Sequence, residues 1–222
     1  MCDQHDQRRR GMLKAIGALG LAGFAGGALA DPSKGPGAMM PGKGWMTATG
    51  DACPGDGTPL QFIPKGAPDS DPLTNELSKY PKCPYCGMDR TKFNHSRHLV
   101  QYDDDLVDGT CSIHCLALSL ALNLDRGPKA IYAADYGSPK EIKPLVSIDD
   151  ATYLVGSSLK GTMSAVSKMA FAEQAAAEQA MAAKGGELVG FDEALRATYV
   201  GMAEDTMKLR ERRAERRAKM AK

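Results

Sequence analysis

The sequence predicts an α+β protein made of two ββαβ units, with a disordered N-terminal arm before them and a charged helix after them. Three observations lead there. A pattern of short apolar runs interrupted by one helical stretch occurs twice between residues 82 and 191. Residues 31–81 are rich in Pro and Gly and hold no sustained period, and the chain ends in interspersed Arg and Glu. The repetition is one of pattern, not of residue identity.

Residues 1–30 read as a signal peptide. Arg8-Arg9-Arg10-Gly11-Met12-Leu13-Lys14 precedes an apolar, Gly-rich run from Ala15 to Ala30 that is too short and too weakly hydrophobic to span a membrane. It ends in Ala28-Leu29-Ala30, a small-x-small cleavage pattern. The paired arginines resemble the twin-arginine signal, the route for proteins that fold before crossing; an ordinary secretory signal is the alternative. Both place the mature protein in the periplasm with no stable membrane span. No Cys follows the cleavage point, so no lipid anchor is expected there.

Residues 31–81 read as an extended arm, punctuated by Gly35-Pro36-Gly37, Pro41-Gly42-Lys43-Gly44 and Pro54-Gly55-Asp56-Gly57. Met39, Met40, Trp45 and Met46 within it are either incidental apolar residues or an accessory soft-metal or docking patch.

The first ββαβ unit is expected over residues 82–138. Ser96 to Tyr102 alternates as a strand, and Asp103 to Gly109 carries acidic and Gly turn signals. Thr110 to Asn123 is helical and Lys129 to Asp135 a strand. Asp103-Asp104-Asp105 solvates a hairpin turn, since no further carboxylates are spaced to complete a hard-cation cage. The second unit is expected over 139–191, entered by a joining segment around Pro139 to Asp150. Ala151 to Gly156 is a strand, Ser157 to Gly161 a turn, and Met163 to Met169 the next strand. Phe171 to Lys184 is an Ala- and Glu-rich helix stopped by Gly185-Gly186, and Glu187 to Phe191 closes the unit. Residues 192–222 continue as a charged helix with Glu215 facing Lys219 one turn on, either solvated or docked to an acidic partner or anionic lipid.

Composition limits the function. With 222 residues, 43% hydrophobic, the chain can bury a real core, and a formal charge of +1 gives no reason to expect a nucleic-acid partner. There is no Gly-rich phosphate loop, no Gly-x-Ser-x-Gly elbow and no HExxH element, so an enzyme is not expected.

The cysteines carry the chemistry. Of six, Cys2 lies in the signal and Cys53 stands alone; the other four are spaced Cys83-x2-Cys86 and Cys111-x3-Cys115, as metal ligands are. In Lys82-Cys83-Pro84-Tyr85-Cys86-Gly87-Met88 the two thiolates flank a tight turn, and Gly87 allows positive φ after the second. Cys111 and Cys115, where a strand runs into a helix, share one face of its first turn, and the helix N-terminus favours thiolate.

Three readings compete: a closed zinc tetrahedron of four thiolates, a Cu(I) site mixing thiolate and thioether, and a thiol–disulfide oxidoreductase. Met88, two residues past Cys86, and Met163, after a turn in the second unit, favour copper, because thioethers are poor zinc ligands. Both are alternatively core side chains. His98 or His114 is a further ligand or a group behind one, or alternatively an ordinary surface or core histidine. His95 and His98 are spaced so that a strand sends their rings to opposite faces, so both are not expected on one metal.

Cys83-Pro84-Tyr85-Cys86-Gly87-Met88, Leu154-Val155-Gly156, Gly161-Thr162-Met163, Ala170-Phe171, Gly185-Gly186 and Phe191-Asp192 together resemble the NosL family, the accessory proteins of nitrous oxide reductase. The resemblance runs from about Lys82 to Ala194. It implies an exported protein of two ββαβ units that binds Cu(I) and delivers it to a copper-accepting enzyme. By motif position it places Cys86, Met88 and Met163 at the metal. Cys111-Ser112-Ile113-His114-Cys115 stands outside the minimal family motif, and with Cys83 and Cys86 it resembles a treble-clef or TRASH-like module. Those thiols make either a second site or a Cys-rich version of the first.

Overall fold

The computed structural model describes residues 38–40, 44–46, 66–123 and 126–221. The signal peptide, Cys53 and most of the arm lie outside the described residues. The chain divides into two compact units, residues 1–59 and 60–222. In the first, β1 (Ala38–Met40) and β2 (Gly44–Met46) pair antiparallel, with Met39 opposite Trp45.

Both ββαβ units belong to residues 60–222. The first comprises β3 (His98–Tyr102), β4 (Val107–Thr110), a helix Ile113–Leu122 and β5 (Pro128–Ala134). The second comprises β7 (Thr152–Val155), β8 (Lys168–Phe171), a helix Gln174–Lys184 and β9 (Glu187–Val189). Counting the short α1 (Glu76–Lys79) first, these helices are α2 and α3, and the long terminal helix Phe191–Met220 is α4. The strand orders are β4-β3-β5 and β8-β7-β9, antiparallel throughout, so each unit sets its first strand between the other two. The predicted repeat is therefore a repeat of topology.

The two sheets share one core. Val100, Tyr102, Ile113, Leu116 and Ile131 of the first unit pack with Tyr153 and Ala170 of the second and Ala194 of α4. Burial of such apolar surface contributes roughly 25 cal/mol per Å², and it explains why β3 is buried at all five positions. A parallel bridge from Asp135 to Ala170 and a bond from Tyr136 N–H to Ala170 O (2.7 Å) tie the chain just beyond β5 to the edge strand β8.

Four local expectations are corrected. The end of the arm is folded, not extended: α1 brings Glu76 into the first unit beside Arg90 and Arg97, and Asp69 N–H donates to Asp105 O at 2.7 Å. Asp108 is not part of a turn but lies inside β4, because hydroxyls satisfy its buried carboxylate. The joining segment contributes a further strand, β6 (Leu145–Ser147), which pairs with β5. The strand placed at Met163 begins only at Lys168: Ser164 Oγ donates to Val166 O and accepts from Val166 N–H, which gives the backbone a local alternative to the ladder.

On α4, the ion pair within 4 Å among the described residues is Glu204–Lys208 (3.6 Å), not Glu215–Lys219. The helix packs on α2 through Tyr199, whose hydroxyl donates to Ala117 O at 2.8 Å, and from Ala203 onward it is exposed.

Candidate metal centre

The first cysteine pair sits on a closed knuckle. Lys82 and Asp89 bridge its two ends, Cys83 N–H donates to Met88 O and Gly87 N–H to Cys83 O, both at 2.9 Å. Gly87 turns the chain at φ 74, where a side chain is disfavoured. Asp89 then accepts from the N–H groups of Thr91 (2.9 Å) and Lys92 (3.0 Å), which fixes the exit. The second pair comes from the corner between β4 and α2: Cys111 follows the last residue of the strand, and Cys115 is the third residue of the helix.

The folding of the first unit brings the pairs together. The sulfurs of Cys83, Cys86, Cys111 and Cys115 all lie within 4.8 Å of one another, with Cys86 Sγ to Cys111 Sγ at 3.4 Å and Cys111 Sγ to Cys115 Sγ at 3.8 Å. A tetrahedral ion with bonds of about 2.3 Å sets its sulfurs roughly 3.8 Å apart, so the four fit one ion with small adjustments. All four are free thiols. Cys83, Cys111 and Cys115 are buried and Cys86 is half-buried, while Tyr85, Met88 and Phe93 pack against the cluster.

The thiols share protons unequally. Hydrogen bonds with Cys111 and then Cys115 push the Cys83 thiol far down, against the effect of burial. The Cys115 thiol is pushed far up by its hydrogen bonds with Cys111 and Cys83 and by burial. At Cys111 the Cys115 hydrogen bond pulls down, but those with Cys83 and Cys86, together with burial, carry it up. Thiols this close lower the cost of ionising one of their number, and a metal that bound all four would displace the protons they hold.

Two polar devices that the sequence did not reveal hold this cluster. Arg90 is fully buried, and its guanidinium donates to Tyr80 O (2.7 Å), His98 O (3.2 Å) and Thr110 O (3.3 Å). It lies across Gly109, where a Cβ would come within 2.7 Å of it, and its charge and that of Cys83 favour each other. On the other side, Tyr85 of the knuckle donates to Asp108 Oδ2 at 2.6 Å, and Ser119 of α2 donates to the same oxygen at 2.7 Å. Burial raises the Asp108 carboxyl above its ordinary value. The tyrosine thereby latches the knuckle to the strand that delivers Cys111.

Of the histidines, His98 is not free to bind metal. Its Nδ1–H donates to Ser96 O and its Nε2 accepts from Tyr153 O–H, both at 3.0 Å, which uses both ring nitrogens; burial lowers its pKa to about 4. It acts instead as a neutral strut between the two units. His114, half-buried, has Nδ1 3.9 Å from Cys115 Sγ and lies at the edge of the cluster.

Of the methionines, Met88 belongs to the cluster, whereas Met163 is 42% exposed at φ 61. Its neighbour Thr162 is held by Ser96 Oγ at 2.8 Å, and the same Ser96 oxygen donates to Cys111 O at 2.9 Å. The second unit thus presents Met163 on a loop tied to the backbone of a cluster cysteine.

The NosL family model matches residues 74–199, more than half of the chain, and spans α1, both ββαβ units and the packed part of α4. The chain belongs to the NosL family. The crystal structure of the copper chaperone NosL from Shewanella denitrificans is similar to it, with 26% identity, coverage of 58% of this chain and 92% of that one, and a TM-score of 0.45. Comparison with curated proteins finds no match. The NosL match contains all four clustered cysteines, Met88 and Met163. No described helix is long and apolar enough to cross a membrane.

Proposed function

We propose that this NosL-family chain is an exported Cu(I) carrier that takes the ion among Cys83, Cys86, Cys111, Cys115 and the adjoining thioether of Met88, no more than four of these sulfurs binding at once, and hands it to a copper-accepting protein. The observation that carries the reading is the convergence of four sulfurs within 4.8 Å beside Met88. Thiolate and thioether together select Cu(I), which tolerates few ligands and exchanges them readily. The half-buried Cys86 is the point at which an incoming ligand reaches the ion, and Met163, exposed on the tied loop, is the thioether that follows it. Family membership supports nitrous oxide reductase as the acceptor, and the arginine-rich N-terminus supports export to the periplasm by the twin-arginine route. The chain on this reading moves an ion and catalyses no covalent step.

The near-complete burial of Cys83, Cys111 and Cys115 favours a second reading, a closed structural zinc tetrahedron. One experiment separates the two. The full chain is purified without oxygen, its bound metals are quantified, and Cu(I) is titrated against a chromogenic chelator. A carrier binds stoichiometric Cu(I), displaces any zinc, and weakens in Met88→Ala and Met163→Ala. Zinc that copper does not displace, with both variants unchanged, would sink the carrier reading.

A further inference from the structure

We propose that Cys86 and Cys111 close into a reversible disulfide when the centre is metal-free, so that the centre admits metal only in its reduced state. The inference rests on the metal-carrying role just described and adds its regulation.

The four thiols are not equivalent. The Cys86 and Cys111 sulfurs are 3.4 Å apart, nearer than the 3.8 Å of Cys111 and Cys115. A disulfide needs about 2.05 Å, so roughly 1.4 Å of approach closes the bond. Accessibility differs in the same direction: Cys86 is half-buried, while Cys83, Cys111 and Cys115 are at 2%, 0% and 0% exposure. An oxidant therefore meets Cys86 first and finds Cys111 directly behind it. Cys86 also sits at the bend of the knuckle, just before Gly87, where a small change of turn moves its sulfur without disturbing a strand or helix.

The chemistry is thiol–disulfide exchange with an external disulfide, either a small molecule or the disulfide of an oxidising protein. The Cys86 sulfur attacks one sulfur of that disulfide, forms a mixed disulfide and expels the other half as a thiol carrying the Cys86 proton. The Cys111 sulfur then attacks the Cys86 sulfur, forms the internal bond and expels the second half with its own proton. The protein loses two electrons and two protons, and one external disulfide becomes two thiols. The oxidised centre keeps Cys83, Cys115 and Met88 but has lost half of its thiolates. A bound ion blocks the reaction, because both sulfurs are already committed to the metal.

The test uses the full chain with Cys2 and Cys53 replaced by Ser, reduced and stripped of metal, then exposed to oxidised glutathione, alkylated and mapped by mass spectrometry. The expected product is lighter by about 2 Da before alkylation, links Cys86 to Cys111, and carries alkyl groups on Cys83 and Cys115. Its Cu(I) affinity falls at least about tenfold and returns with dithiothreitol, and prior loading with Cu(I) slows the oxidation by at least about tenfold.

In Cys111→Ser the reaction stops as a glutathione adduct on Cys86; in Cys86→Ser, at a half-buried turn position, it slows sharply, and circular dichroism checks that both variants fold. Linkages scattered over all four cysteines, an unresolved adduct in the parent chain, or equal oxidation rates with and without copper overturn the proposal. The arms also separate two failures. A reduced chain that binds no Cu(I) defeats the carrier reading, whereas reduced and oxidised chains that bind equally well defeat the switch alone.

Discussion

Arg90 and Glu76 meet at 2.8 Å with side-chain exposures of 0% and 8%, and the other oxygen of the same carboxylate accepts from Arg97 Nε at 2.7 Å. A short helix at the end of the arm thus supplies a carboxylate that pairs with two buried guanidiniums behind the cysteine cluster. The approach of Arg90 to Oε2 lies outside hydrogen-bond geometry, so the contact is ionic. Glu76→Gln removes the carboxylate that both buried guanidiniums share and is expected to lower stability by about 3–5 kcal/mol, read as a fall in the urea midpoint. An unchanged midpoint would mean that α1 is not part of the folded unit.

The His98 ring predicts a pH dependence of stability. Its pKa falls from 6.5 to about 4 on folding, because burial disfavours the imidazolium. The unfolded chain therefore binds the extra proton first as pH drops. Stability from this residue is complete above pH 6.5 and is lost progressively as pH falls towards 4, by about 3 kcal/mol in all. Denaturation curves between these limits should show that slope, and His98→Gln should flatten it. A slope that survives the substitution assigns it to another group.

Gly87 isolates backbone from packing. A Cβ there would meet nothing within 4 Å, yet φ is 74. Gly87→Ala is expected to cost about 1 kcal/mol from the left-handed backbone alone, and to weaken metal binding because the turn that aims Cys83 and Cys86 relaxes. Chelator competition and thermal unfolding measure the two effects separately; a loss of stability with full metal affinity would show that the knuckle tolerates the change.

Tyr85→Phe removes one of the two hydroxyls on the Asp108 carboxylate. The expected loss is about 1–2 kcal/mol, the cost of a buried acceptor left short of a donor. Because Tyr85 and Asp108 share this bond, Asp108→Asn in the Tyr85→Phe background is expected to cost less than in the parent chain. A double-mutant cycle gives the coupling directly, and strict additivity would count against the latch.

Much of this architecture was legible in the sequence because it follows from periodicity and punctuation. The Ala-rich α3 ends at its Gly pair, and Cys115 lies in the first turn of a helix as expected, whereas Cys111 stands before that helix, one residue ahead of its N-cap Ser112. What escaped were charges whose partners are remote in sequence. Glu76 looks like part of a polar arm until Arg90 and Arg97 reach it, and Asp108 looks like a turn residue until Tyr85 and Ser119 supply its hydrogen bonds. His98 read as a ligand candidate for the same reason: nothing local reveals that Tyr153, 55 positions on, occupies its second nitrogen. At the site, the pairs of cysteines were readable one by one, but their convergence depends on how the knuckle docks against β4.

The matching strand orders have a consequence for the corner that delivers Cys111 and Cys115. In both units the helix opens three residues after the second strand ends, at Ile113 after Thr110 and at Gln174 after Phe171. Counted from those strand ends, Ala172 and Ala176 occupy the places of Cys111 and Cys115. The same mount was thus built twice along one chain, armed with sulfur in the first copy and left as bare methyl groups in the second.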